Sequence, residues 1–214
     1  MTDLRTTLRL AAILLFGSIA IYGAISYRRS NLPASAPVDV QASGLKIIRQ
    51  ELRKIEASPF GRSDRGQALI LQIRRLMASD KIIFSSGLGG PRGQTSHNIF
   101  GKRCVYIKVI EMNHGRYLHQ LPWQLSEALF HEAVHAQQES CHKASFEEEC
   151  DAFAAGLQAE AVSKGVALSP LLCIDGLPVA KFVRQSYPGI KSNAKYKPIG
   201  NSREWLIKHV EGEF

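Results

Sequence analysis

The fold is predicted from residues 122–140, which have the sequence PWQLSEALFHEAVHAQQES. Proline is favoured in the first turn of a helix, so we predict one long helix over this range. It contains His131-Glu132-Ala133-Val134-His135, an HExxH pattern. Side chains four residues apart share one face of a helix, so the two imidazoles can converge on one small cation. Zinc is the natural candidate, because it accepts nitrogen and oxygen ligands in tetrahedral geometry.

Glu132 follows His131 directly, so its side chain is offset around the helix and does not compete as a ligand. From that position its carboxylate can take a proton from a water that the metal activates. The pattern therefore predicts a hydrolase with Glu132 as the general base.

A catalytic zinc needs a third protein ligand. Ser145 and Glu148 form a capping box for a second helix, which we predict to end at Gly165. A short turn makes the two helices antiparallel neighbours, so the glutamates of the second helix return beside the HExxH helix. We predict Glu147 as the third ligand, because Asp151 lies four residues on, on the same face, and could accept the other N–H of a ligating imidazole. Other third ligands remain open: Glu149, Cys141 and His142.

HExxH followed by a helix bearing ExxxD resembles the gluzincin pattern of zinc metallopeptidases. The run FEEECDAFAA, residues 146–155, is similar to the third-ligand helix of CAAX-prenyl-protease and HtpX-type proteases, and to a stretch of ImmA/IrrE-type peptidases. The resemblance covers about a fifth of the chain, residues 122–160. It implies that His131, His135 and Glu147 bind zinc, that Glu132 is the base and that Asp151 supports a ligand.

Two departures from the prenyl-protease group make the chain more similar to a minimal gluzincin: a shorter gap before Glu147 and the absence of multiple membrane spans. That resemblance implies an edge strand beside the site that binds extended peptide, for which residues 104–110 are the candidate. A metzincin pattern would need glycine and histidine where this chain has Gln138 and Cys141.

Residues 10–27 contain no charged side chain and are flanked by arginines. Their length just spans a bilayer, so we predict a single transmembrane helix within residues 1–29, with a cleaved signal peptide as the alternative. Residues 30–43 are small and Pro-containing, and we expect a linker there. The side of the membrane is not decided, because arginines occur on both flanks.

We assign residues 44–214 to an α+β, mostly helical, zincin-like domain with a small antiparallel sheet. Residues 81–85 and 104–110 are the predicted strands, and the Gly-rich residues 87–93 are expected to connect them as a hairpin. Five side chains are candidates for stabilising an oxyanion: His114, His119, Tyr187, Tyr196 and His209.

The net charge of +8 at first favours a polyanion as the partner. Four of the arginines flank the apolar segment, however, and the basic residues 176–202 hold few aromatic side chains for stacking on bases. We therefore expect a peptide or protein substrate, contact with a membrane through the N-terminal helix, and no nucleic acid. The alternative is a catalytically inactive, zinc-stabilised interaction domain at the membrane surface. Four cysteines are too few for a disulfide scaffold.

Overall fold

The computed structural model describes residues 34–88, 92–97, 103–112, 115–138, 144–201 and 203–211. Over these residues the chain is α+β and mostly helical, as predicted. The first three helices are α1 (Val38–Ala57), α2 (Pro59–Arg62) and α3 (Asp64–Ala78). Helices α2 and α3 each follow a serine whose hydroxyl accepts the backbone N–H of the residue three positions later, which is a usual N-cap.

Five strands follow: β1 (Ile82–Ser85), β2 (Gly93–His97), β3 (Arg103–Lys108), β4 (Ile110–Met112) and β5 (Arg116–Leu118). Strand β3 lies in the middle of a three-stranded sheet, parallel to β1 and antiparallel to β2. The prediction of an antiparallel sheet is therefore wrong for the β1–β3 pair. The Gly-rich residues 87–93 also do not connect the two predicted strands as a hairpin, because β1 and β3 are parallel and β2 lies between them in the chain.

Two long helices carry the HExxH motif and the acidic run. They are α4 (Pro122–Gln137) and α5 (Phe146–Lys164), and they are packed closely along their length. Gly156 permits the approach, because a Cβ there would lie 2.9 Å from the carbonyl oxygen of Glu127. Helix α5 ends at Gly165, whose φ of +68° is the left-handed conformation that favours glycine.

The chain closes with a small hairpin and two short helices: β6 (Cys173–Ile174), β7 (Leu177–Pro178), α6 (Val179–Ser186) and α7 (Arg203–Val210). Helix α5 is buried on both sides, since its alanines contribute to two hydrophobic clusters. One cluster lies among α1, α3, α4 and the sheet, and the other lies against α6 and α7. The two clusters fix α5 between the HExxH helix and the C-terminal segment.

Two predictions for the N-terminal part need correction. Among the residues that the structure describes, no helix is long and apolar enough to cross a membrane. A single-pass membrane protein is therefore not supported, and residues 10–27, on which that prediction rested, lie outside the described part of the chain. The predicted linker, residues 30–43, is partly helical, because α1 begins at Val38. Just before it, the N–H of Ala36 donates to the carbonyl oxygen of Phe84 at 2.8 Å, so this segment is attached to the sheet.

Candidate metal centre

His131, His135 and Glu149 form a group that could bind a metal ion. The Nε2 atoms of the two histidines lie 3.2 Å apart, and each lies 3.6 Å from an oxygen of Glu149. Ligands held tetrahedrally at zinc distances would be about 3.3 Å from one another. The three side chains are only 10–14% exposed. Glu149 Oε2 is buried and has no hydrogen-bond partner among the described residues, so the donor set fits a cation such as zinc.

Neighbouring side chains orient both imidazoles. His135 Nδ1 lies 2.8 Å from Glu148 Oε1, which leaves Nε2 directed at the cluster. The ring of Phe153 packs edge-on against the ring of His131, with centroids 4.5 Å apart. The capping prediction for Glu148 is confirmed only for its backbone, whose N–H donates to Ser145 Oγ. Its carboxylate supports His135 instead.

Glu132 lies in the buried space between α4 and β2. Thr95 Oγ1 donates to Glu132 Oε2 at 2.7 Å. Gly93 allows the strand to come this close, since a Cβ there would lie 2.8 Å from Glu132 Cγ. Burial raises the pKa of Glu132, and the charge of His135 and the hydrogen bond from Thr95 offset this only in part. A carboxylate whose proton affinity is raised is suited to accept a proton.

The two imidazoles differ in proton affinity. Among the described residues, only His135 has a carboxylate, that of Glu148, at its Nδ1 atom. Burial, followed by the charge of His135, places the pKa of His131 well below its usual value. Burial also disfavours charge on His135, but its hydrogen bond to Glu148 and the nearby carboxylate of Glu149 outweigh burial and raise the pKa of His135 to about 10. A metal ion held by both rings would displace the proton of His135, because a metal ligand must be deprotonated.

The structure does not bring Glu147 into this group, and Glu149 takes its place as the third residue that could bind metal. Glu147 Oε2 accepts the backbone N–H of Asn193 at 2.6 Å, and Oε1 accepts from Ser192 Oγ. Arg203 Nη2 also lies 3.4 Å from Glu147 Oε1. Burial opposes the charge on Glu147, but these donors outweigh it and lower the pKa.

The predicted role of Asp151 as support for a ligand is not seen either. Asp151 is fully buried, and its carboxylate accepts from Arg65 Nη1, from Tyr196 Oη at 2.8 Å and from the N–H of Ile199 at 3.1 Å. Glu147 and Asp151 do share a face of α5, as their spacing predicted, but that face points to the C-terminal segment. The next face, with Glu149 and Phe153, points to α4.

The metal group opens into a cleft of about 870 Å³ between β2, α4, α5 and the C-terminal hairpin. Strand β2 is the edge strand at this cleft, whereas the predicted edge strand, residues 104–110, is mostly the central strand β3. Strand β2 was not predicted, because its sequence, GQTSH, has no apolar run that indicates a strand.

One oxyanion candidate, Tyr187, lines the same cleft, and burial followed by the charges of Glu149 and Glu132 raises its pKa to about 12. Tyr196 is bound to Asp151, and His209 stacks on Trp205 with ring centroids 4.3 Å apart. The ring of His119 packs edge-on against Phe84, 5.5 Å away.

The remaining candidates, His114, Cys141 and His142, lie outside the described residues. The other three cysteines, Cys104, Cys150 and Cys173, are free thiols.

The fold and the site together define an α+β domain with an HExxH helix and a His–His–Glu group that could bind metal. Comparison with known protein families, with curated proteins and with solved structures finds no match to this chain. Membership of the gluzincins is therefore not established.

Proposed function

We propose that the chain is a zinc-dependent peptidase, in which His131, His135 and Glu149 hold the metal and Glu132 is the general base. The observation that carries the proposal is the convergence of two imidazole Nε2 atoms, 3.2 Å apart, on the carboxylate of Glu149, with each nitrogen 3.6 Å from one of its oxygens. Glu149 Oε2 is buried and has no hydrogen-bond partner among the described residues. A buried polar atom without a partner costs stability, and a bound cation would remove that cost.

When bound, zinc would supply a Lewis acid that polarises a carbonyl group and makes water more acidic. Glu132 would accept the proton of the attacking water and pass it to the leaving amine. Because Thr95 occupies Oε2, we assign the proton transfer to Oε1 of Glu132. The raised pKa of this buried carboxyl group supports that role, since it allows the proton to be held between the two steps.

A peptide is the substrate that the shape of the cleft supports best. The edge strand β2 borders the cleft beside Glu132, and an unpaired strand edge can align an extended chain through backbone hydrogen bonds. The volume of about 870 Å³ is at the upper end of small-molecule sites, which favours a segment of several residues.

Tyr187 is our candidate for stabilising the oxyanion that forms during hydrolysis. It lines the cleft and is partly exposed, and its phenol is protonated near neutral pH, so it can donate a hydrogen bond. A donor positioned at the developing charge is the usual device for this step.

The test is Glu132→Gln in the zinc-loaded full chain, with Glu56→Gln as the control. Glu56 pairs with Arg74 outside the cleft, so this control removes a carboxylate without touching the site. We expect Glu132→Gln to keep its zinc and to lose peptide hydrolysis by roughly 10²–10⁴-fold, the usual contribution of a general base. Unchanged hydrolysis in Glu132→Gln would contradict the assignment of Glu132 as the general base. No hydrolysis by the zinc-loaded wild type would contradict the proposal as a whole and favour a non-catalytic zinc-stabilised domain.

A further inference from the structure

We propose that the cleft selects peptides with a large apolar or aromatic side chain next to the cleaved bond, and that Phe182 determines this preference. The inference rests on the proposed peptidase function and adds a substrate class to it.

The wall of the cleft on the side of α5 and α6 is apolar and begins at the metal group itself. Phe153 contacts the ring of His131, and Phe182 packs edge-on against Phe153 with ring centroids 5.3 Å apart. Leu157 and Ile174 extend the same wall, and all four apolar side chains are only partly buried. An apolar surface therefore adjoins the place where a scissile bond would be held.

The opposite wall is polar and offers little apolar surface that a second apolar side chain could contact. Thr95 and Glu132 are bonded to each other there, and Gln94 is exposed beside them. An extended peptide lying along β2 directs alternate side chains to opposite sides. The residue that points away from the polar wall would therefore meet Phe153 and Phe182.

Two of the acids that line the cleft, Glu127 and Glu160, add little preference for a basic side chain, because both are already in ion pairs. Glu127 is paired with Arg92, and Glu160 with Lys164 at 2.5 Å. Lys164 also lies over the ring of Trp123, 3.9 Å from its centroid. These charges are already compensated, so contact with the apolar wall is the main source of discrimination.

The expected size of the preference follows from the area of the substrate side chain that the pocket would remove from water. A fully buried aromatic side chain removes roughly 150–250 Å² from water, and a pocket distinguishes even a single methylene by about 10–200-fold. We expect kcat/KM for a peptide with phenylalanine at the selected position to exceed that for alanine by roughly 100-fold. Truncation of Phe182 removes one side of the pocket and should reduce this ratio by about tenfold.

The experiment uses the zinc-loaded full chain and a set of blocked peptides that differ at one position, which holds Phe, Leu, Ala, Asp or Lys. Mass spectrometry locates the cleaved bond, and kcat/KM is measured for wild type, Phe182→Ala and Phe60→Ala. Phe60 is a matched control, because it is also half-buried and packs on one aromatic ring, Phe130, outside the cleft. Phe182→Leu replaces Phe182→Ala if the alanine variant does not fold.

A wild-type preference for Phe and Leu that shrinks in the Phe182 variant and not in Phe60→Ala supports the inference. Equal cleavage of all peptides would overturn it, and so would an equal loss of preference in both variants. A second readout separates this inference from the proposed function: the Kd of the same peptides for zinc-loaded Glu132→Gln. If no peptide is cleaved, the proposed function fails, and Kd values that do not distinguish Phe from Ala overturn the selectivity as well.

Discussion

Asp151→Asn tests whether this carboxylate stabilises the fold or supports the metal group. Among the described residues, Asp151 supplies the only carboxylate that contacts Arg65. The Arg65 guanidinium is 1% exposed, and it also donates to Gln158 Oε1 at 3.0 Å and to the carbonyl oxygen of Ile199 at 3.0 Å. Asparagine would leave this cation buried without an opposite charge.

The expected cost is about 3–5 kcal/mol of unfolding free energy, the usual result of removing one partner of a buried ion pair. With a urea m-value of roughly 2 kcal/mol/M, the midpoint should fall by about 2 M. The assay is urea unfolding followed by circular dichroism, with zinc content measured on the folded protein. Asp64→Asn is the control, since Asp64 lies exposed in the first turn of α3 and its loss should cost less than about 1 kcal/mol.

A cost below about 1 kcal/mol in Asp151→Asn would refute the reasoning, because the Arg65 charge would then be compensated elsewhere. Loss of zinc with unchanged stability would refute it more specifically. That result would place Asp151 beside the metal, as the sequence alone had predicted.

Two further predictions concern the side chains that orient the site. Thr95→Val removes the hydrogen bond to Glu132 at nearly constant volume, so kcat should fall about tenfold with KM and zinc content unchanged, whereas Thr95→Ser should restore kcat. An equal loss of kcat in the serine variant would show that the methyl group and not the hydroxyl matters. Glu148→Gln replaces the carboxylate beside His135 Nδ1 with an amide and so weakens their hydrogen bond. We expect the Kd for zinc, measured by competition with a chelator, to rise about 10–100-fold. An unchanged Kd would contradict the support that the structure assigns to Glu148.

Local signals in the sequence were sufficient for the two long helices α4 and α5 and for the spacing of the HExxH group. Ser145 caps α5 and Gly165 ends it, because these residue types satisfy or terminate backbone hydrogen bonds wherever the fold places them. The spacing of His131 and His135 likewise fixes their relation, since both lie on one rigid helix.

The sequence could not show which glutamate is the third candidate ligand, because this depends on how α5 is rotated against α4. The sequence shows that Glu147 and Asp151 share a face, but three adjacent glutamates offer three faces. The rotation is set by distant partners: Arg65 and Tyr196 bind Asp151, and Ser192 and Asn193 bind Glu147. No spacing within residues 145–155 reports on these contacts.

The measurement that tests the central claim most directly is the zinc affinity of Glu149→Gln compared with that of Glu147→Gln. Both residues are buried glutamates on the first turn of α5, so the two substitutions are closely matched. We expect wild type and Glu147→Gln to bind about one zinc per chain, and Glu149→Gln to bind it at least ~100-fold more weakly, because a protein ligand is lost. Weak binding in Glu147→Gln with unchanged binding in Glu149→Gln, or no zinc binding by the wild type, would contradict the account.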